Sequence, residues 1–86
     1  MDNKIIVKLL VPEIDESFDL YLPVTKKIGN IIGLLNQAIS ELTYGTYQSS
    51  DTALLFNRET KETYNSDTLL INTNIRNGTK LILLSK

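Results

Sequence analysis

The chain has 86 residues, with neither cysteine nor histidine, and sets 9 Lys/Arg against 10 Asp/Glu for a net charge of −1. Those two absences exclude thiolate nucleophiles, thiol redox chemistry, Ser-His-Asp triads and Cys/His zinc sites. The near balance of charge argues against a nucleic-acid partner, and apolar runs such as Leu81 to Leu84 fall far short of the roughly 20 residues that cross a bilayer.

A hydrophobic content of 42% with 22% charged residues is that of a globular chain, and the length fits one domain over 1–86. Domains below about 80 residues commonly rely on disulfides or metals. This one, just above that size, must be held by packing and backbone hydrogen bonds. Met1-Asp2-Asn3-Lys4 does not open a signal peptide, because the apolar stretch after it breaks at Lys8 and has no small-residue cleavage site. Small exported domains also usually carry disulfides, so the expected location is cytoplasmic.

Lys4 to Val11 is rich in Ile, Val and Leu and predicts a strand that Pro12 stops. After the polar turn Glu13 to Ser17, Phe18, Leu20 and Leu22 alternate with polar residues, so they share one face of a second strand that ends at Pro23. The short connection predicts an antiparallel hairpin. Thr25 is placed to cap a helix, along which Ile28, Ile31, Ile32, Leu35, Ile39 and Leu42 form one apolar stripe. Gly29 and Gly33 each cost that helix about 1 kcal/mol relative to Ala. Gly45, with Tyr44 and Tyr47 around it, marks the exit, and Gln48 to Thr52 reads as a loop.

Ala53 to Phe56 predicts a short strand, followed by a charged turn over 57–62 and a weaker strand around Thr63-Tyr64. Leu69 to Ile75 lacks a clean period and predicts a turn or short 3₁₀ segment that drops Leu69 and Ile75 onto the core. Asn77-Gly78 is a turn signal, since both residues tolerate positive φ, and Lys80 to Leu84 predicts the last strand. Hairpin, helix, two short strands, turn and final strand, with the last strand parallel to the first, make an α+β β-grasp: a mixed sheet of four to five strands with one α-helix packed across one face.

In this order and spacing, Ile5-Ile6-Val7-Lys8, Phe18-Asp19-Leu20-Tyr21-Leu22-Pro23, Ile28 to Leu35, Leu54-Leu55-Phe56 and Thr79 to Leu83 resemble the successive elements of ubiquitin-like proteins across essentially the whole chain. Within that superfamily, Asp19-Leu20-x-Leu22-Pro23 and the ending from Leu69 through Ile75-Arg76-Asn77-Gly78-Thr79-Lys80-Leu81 resemble the YukD/EsaB-type proteins. These are small ubiquitin-like components encoded with type VII secretion systems of Gram-positive bacteria. The resemblance implies a cytoplasmic accessory part of a secretion machine, with no catalysis. Conjugated modifiers and sulfur carriers of this fold end in a flexible Gly-Gly tail. The ending Leu83-Leu84-Ser85-Lys86 departs from that pattern, so conjugation and sulfur transfer are not expected.

Alternation of the last strand turns Leu81 and Leu83 toward the helix and Ile82 and Leu84 to the opposite sheet face. The same reading puts Leu54 and Phe56 inside and Leu55 outside. Leu55, Ile82 and Leu84, with Ile6, Lys8 and Leu10 of the first strand beside them, are then the candidate protein-binding residues, a contiguous apolar surface of the kind that marks an interface. The plainer alternatives are loops folded over it or scattered surface apolar atoms.

Gly29, Gly33, Asn36 and Ser40 fall on one helix face, which is either a seat for a partner helix or an exposed polar face. Glu13, Asp15, Glu16 and Asp19 lack the spacing of a calcium loop and read as a solvated turn. Tyr44 and Tyr47 either seal a core edge or stack a ligand. The chain is thus expected to be no enzyme, to need no cofactor or metal, and to bind a protein partner such as a secretion-system component, with weak self-association through the apolar patch as a further possibility. A ubiquitin-like modifier or sulfur carrier, or a self-associating structural module, is the alternative reading.

Overall fold

The computed structural model describes residues 3–48 and 53–84. The strands are β1 (Lys4–Val11), β2 (Glu16–Pro23), β3 (Leu54–Asn57) and β4 (Lys80–Leu84), and the helix is α1 (Ile28–Leu42). Single 3₁₀ turns span Pro12–Ile14 and Leu70–Asn72. The four strands lie in the order β2-β1-β4-β3. β1 and β4 run parallel and the outer pairings are antiparallel, so the mixed sheet with a single helix is as the element order predicted. Residues 49–52 of the expected loop lie outside the described residues.

The first hairpin forms because β-branched and aliphatic residues on β1 meet alternating residues on β2 in unbroken register, from Lys4 opposite Pro23 to Val11 opposite Glu16. Asp15 turns the chain through a left-handed φ of 52° and returns its N–H to the Pro12 carbonyl at 3.1 Å. Val7, Leu9 and Val11 are buried on one face, and Leu22, Leu20 and Phe18 lie opposite Ile5, Val7 and Leu9 on that same face.

Thr25 does not cap the helix. Lys27 occupies the cap position without a side-chain bond, and the first helical N–H groups go to a distant segment instead. Ile28 donates to the Thr68 carbonyl and Gly29 to the Ser66 carbonyl, both at 2.9 Å. Orphan donors at a helix start must find an acceptor, and here the backbone of 66–68 supplies it. Gly29 is what lets that backbone approach, since a Cβ there would stand 3.2 Å from the Ser66 Cβ. Gly33 has open space around it.

The apolar stripe packs as expected from Ile28 to Ile39, with Ile28, Ile31, Leu35 and Ile39 buried and Ile32 packed against them. Leu42, assigned to the stripe from its spacing, is 55% exposed. Asn36 is buried rather than part of an open polar face, because its Oδ1 accepts the Tyr47 hydroxyl at 2.6 Å. With Gly29 under Ser66 and Asn36 inside, the small residues of α1 do not form a free face. Tyr47 seals the core edge while Tyr44 stands 98% exposed.

The helix ends in a Schellman arrangement, with Gly45 N–H on the Ser40 carbonyl at 2.8 Å and Tyr44 N–H on Glu41 at 3.2 Å. The residue held left-handed at C′ is Tyr44, with φ 53°.

β3 carries the main correction. Leu55 faces the helix side and is buried, while Leu54 and Phe56 are only partly buried on the other face. The register with β4, Leu55 opposite Leu83 and Asn57 opposite Leu81, imposes this phase and carries Asn57 inside. Asn57 is satisfied there by organising the turn after β3: its Oδ1 accepts from Glu59 and Thr60 N–H, and its Nδ2 donates to the Tyr64 hydroxyl. The weaker strand expected at Thr63-Tyr64 is a lone bridge from Thr63 to Phe56. Between Leu69 and Ile75 the buried residues are Leu70 and Ile75, and Leu69 stays only partly buried.

At the last turn only Gly78 takes a positive φ, of 87°. Asn77 works through its side chain, whose Oδ1 accepts the Ile6 N–H at 2.9 Å, while Gly78 N–H donates to the Ile6 carbonyl at 2.9 Å.

Gly33→Ala should raise stability by about 1 kcal/mol from helix propensity, whereas Gly29→Ala should fall short of that because Ser66 must shift; urea midpoints measured side by side check the difference, and equal gains would mean the 66–68 segment yields freely. Tyr44→Gly should stabilise by a few tenths to about 1 kcal/mol, because it relieves a left-handed non-glycine residue that makes no packing contribution, less glycine's own chain-entropy cost; a lowered melting temperature would contradict this.

Candidate functional site

Backbone pairing decides which side chains share the sheet face away from α1. Leu10 lies opposite Ile82, and Ile82 opposite Phe56, so one row runs Leu10, Ile82, Phe56 across three strands. Leu84 and Leu54 are paired in the next row. All five are partly buried, and none packs against the core cluster.

On the other side of that row lies a line of charge. Asp19 is opposite Lys8, and Lys8 is opposite Lys80. Arg58, whose N–H donates to the Lys80 carbonyl at 2.9 Å, stands at its end. Lys8 Nζ approaches Asp19 Oδ1 at 4.0 Å with both side chains more than half exposed, a pair worth little to stability. Lys8, Lys80 and Arg58 against Asp19 alone leave the row with an excess of positive charge, and Lys8 directly abreast of Lys80 adds repulsion. Ile6 and Tyr21 form the next pair beyond it, with Tyr21 68% exposed.

Of the residues expected on this face, Ile82, Leu84, Ile6, Lys8 and Leu10 are brought together. Leu55 is not among them, since it is 2% exposed and belongs to the core. Sequence reasoning missed Leu54, Phe56, Lys80 and Arg58. The alternating charge and apolarity of Lys80-Leu81-Ile82-Leu83-Leu84 does signal Lys80, which must share a face with Ile82.

No group of three or more carboxylates among the described residues is arranged to hold a metal ion, and no described helix is long and apolar enough to cross a membrane. The concavity at the start of α1, lined by Lys26, Lys27, Asn30, Ser66 and Asp67 among others, resembles an anion site only superficially. Its helix N–H groups are already bonded to the Ser66 and Thr68 carbonyls.

No protein-family model and no curated protein matches the chain. Solved structures do match it. The ubiquitin-like domain of the Mycobacterium tuberculosis type VII secretion system protein ECCD1 superposes with a TM-score of 0.75 over 99% of this chain and 100% of that one, at 18% identity. The fold is a ubiquitin-like β-grasp. Caldiarchaeum subterraneum ubiquitin aligns over 96% of this chain and 94% of its own, with a TM-score of 0.65 and 12% identity. A chain of the MycP5-free ESX-5 inner membrane complex contains the same fold in 21% of its length, matching 95% of this chain with a TM-score of 0.67 and 13% identity. At these identities the likeness is one of fold.

Tyr64, beside this sheet edge, gives a pH-dependent test. Its hydroxyl donates to Asn74 Oδ1 at 2.6 Å and accepts from Asn57 at 3.1 Å. Burial pushes its pKa above the ordinary 10.0, aided by the nearby Glu62 carboxylate and partly opposed by the Asn57 bond. A raised folded-state value means the neutral phenol is favoured by folding, so its contribution is full below pH 10.0 and declines as pH rises through the folded value. Urea midpoints between neutral and alkaline pH should therefore fall more steeply for the native chain than for Tyr64→Phe; parallel curves would remove Tyr64 as the cause.

Proposed function

We propose that this chain is a non-catalytic accessory protein of a type VII secretion system, of the YukD/EsaB kind, acting in the cytoplasm by docking a protein partner on its outer sheet face. The observation that carries the reading is the row Leu10, Ile82, Phe56 with Leu54 and Leu84, an apolar surface bordered by Lys8, Lys80 and Arg58. Apolar area of this kind is stabilised by being covered, and the adjoining cations select a partner that brings carboxylates to meet them. The matching segment is one with apolar side chains in its centre and Asp or Glu along one margin.

Two considerations favour a secretion-system partner. Ubiquitin-like domains of similar fold occur in ECCD1 and within the ESX-5 inner membrane complex, and the strand endings around Asp19 to Pro23 and Leu69 to Leu81 resemble the free-standing proteins of such systems. Fold alone does not fix function, so the weight rests on the face itself.

The test is co-purification of the type VII membrane assembly with tagged native chain, compared with Phe56→Lys/Ile82→Lys. The double variant should lose the assembly while its far-UV circular dichroism stays native, because both residues lie outside the core. Leu55→Lys should instead unfold the chain, since it would bury an unpaired charge. Retention of the assembly by the folded double variant would overturn the proposal, as would the absence of any assembly component on the native chain.

A further inference from the structure

The two edges of the sheet are finished differently. β3, with four residues, is partly closed: Asn57 N–H is taken by the Glu62 carbonyl and Phe56 is bridged by Thr63. β2 runs for eight residues in unbroken register with β1, with no strand beyond it among the described residues.

Parity shows what β2 presents there. Val24 N–H bonds to the Asn3 carbonyl, which makes 3 and 24 a bonded pair and, by alternation, also 5 with 22, 7 with 20 and 9 with 18. The β1 residues between these should face β4, as Ile6 and Lys8 do through Asn77, Gly78 and Thr79. On β2 the corresponding residues are Ser17, Asp19 and Tyr21, whose backbone N–H and C=O groups therefore point away from the sheet. From Val24 onward the edge is closed, because Ile71 and Leu70 donate to the Val24 and Lys26 carbonyls. A long edge strand in unbroken register is a template for another strand.

We infer that the occupant of this edge is the β2 strand of a second copy of the chain, paired antiparallel about a dyad through Leu20. The inner row of β2, Phe18-Leu20-Leu22, is apolar about that centre. Phe18 then meets Leu22 of the second copy, and Leu20 meets its counterpart. Phe18 and Leu20 are only partly buried at the edge of the core, and this pairing covers them. On the outer row Asp19 lies beside Tyr21 of the copy, avoiding the carboxylate clash that a dyad through Asp19 would create.

Asp19 and Tyr21 exchange their outward backbone bonds with the copy, and Ser17 N–H reaches the Pro23 carbonyl. Charge does not oppose the direction. By this register Glu16 and Asp15 of one strand fall opposite Val24 and Thr25 of the other, next to its Lys26 and Lys27, and the net charge of −1 per chain opposes association little. A dyad perpendicular to the sheet leaves both outer faces on the same side, so the dimer offers two docking faces to one partner.

The absence of cysteine from the native chain makes a single introduced thiol diagnostic. Sedimentation equilibrium of the full chain from micromolar to millimolar concentration should show the mass rising from 9.7 kDa toward twice that value. Tyr21→Pro deletes only an outward N–H, and proline is tolerated at such an edge; it should keep native circular dichroism and lose the dimer. Leu20→Cys should cross-link to itself on mild oxidation while Leu54→Cys on the outer face does not, a comparison that decides the matter should Tyr21→Pro fail to fold.

The outer-face variant Phe56→Lys/Ile82→Lys should still dimerise, which separates this inference from the docking proposal. A monomeric mass at millimolar concentration, a dimer persisting in folded Tyr21→Pro, or faster cross-linking of Leu54→Cys than of Leu20→Cys would each overturn it.

Discussion

The parallel pairing of β1 with β4 is the constraint on which the rest of the molecule depends. It joins residues near opposite ends of the chain, Lys8 to Leu10 against Lys80 to Ile82, and so must overcome the entropy of closing nearly the whole polypeptide into a loop. The turn before β4 compensates locally. Asn77 and Gly78 grip both backbone groups of Ile6, extending the ladder with a side-chain acceptor across 71 positions of sequence. Once β1 and β4 are abreast, the phase of every side chain on both strands is settled, and with it which residues are core and which are surface.

Long-range backbone contacts also complete the helix. Its first two N–H groups are satisfied by carbonyls from 66–68, its middle is tied through Asn36 to Tyr47, and Lys27 bridges Leu69. The polypeptide between β3 and β4 has little regular structure of its own, yet it caps α1, closes the sheet edge beyond Pro23 through Leu70 and Ile71, and buries Leu70 and Ile75. The glycine at 29 belongs to the same arrangement, since the 66–68 segment lies directly over it.

The outer sheet face inherits its character from these pairings. A mixed four-stranded sheet with one helix buries one face and leaves the other for solvent or a partner. Here that open face is mostly aliphatic and aromatic across β1, β4 and β3, with a charged row beside it.

Much of this was legible in the sequence. The isoleucines and leucines of α1 repeat at three and four, the β2 alternation places Phe18, Leu20 and Leu22 on one face, and Lys80 to Leu84 alternates clearly enough to assign Ile82 and Leu84 outward. Each is a case where polar and apolar residues interleave with the period of the element. Ala53-Leu54-Leu55-Phe56 has no such contrast: four apolar residues in succession fit either phase, and only the register with β4 puts Leu55 inside and Phe56 outside. Asn57 and Asn36 are buried against expectation because Tyr64 and Tyr47, distant in any local reading, arrive to bond them. Composition and periodicity thus determined the elements and most of the core. Tertiary pairing alone decided the phase of β3, the capping of α1 and, among the described residues, the bareness of the β2 edge, because these depend on which backbone groups from remote segments meet.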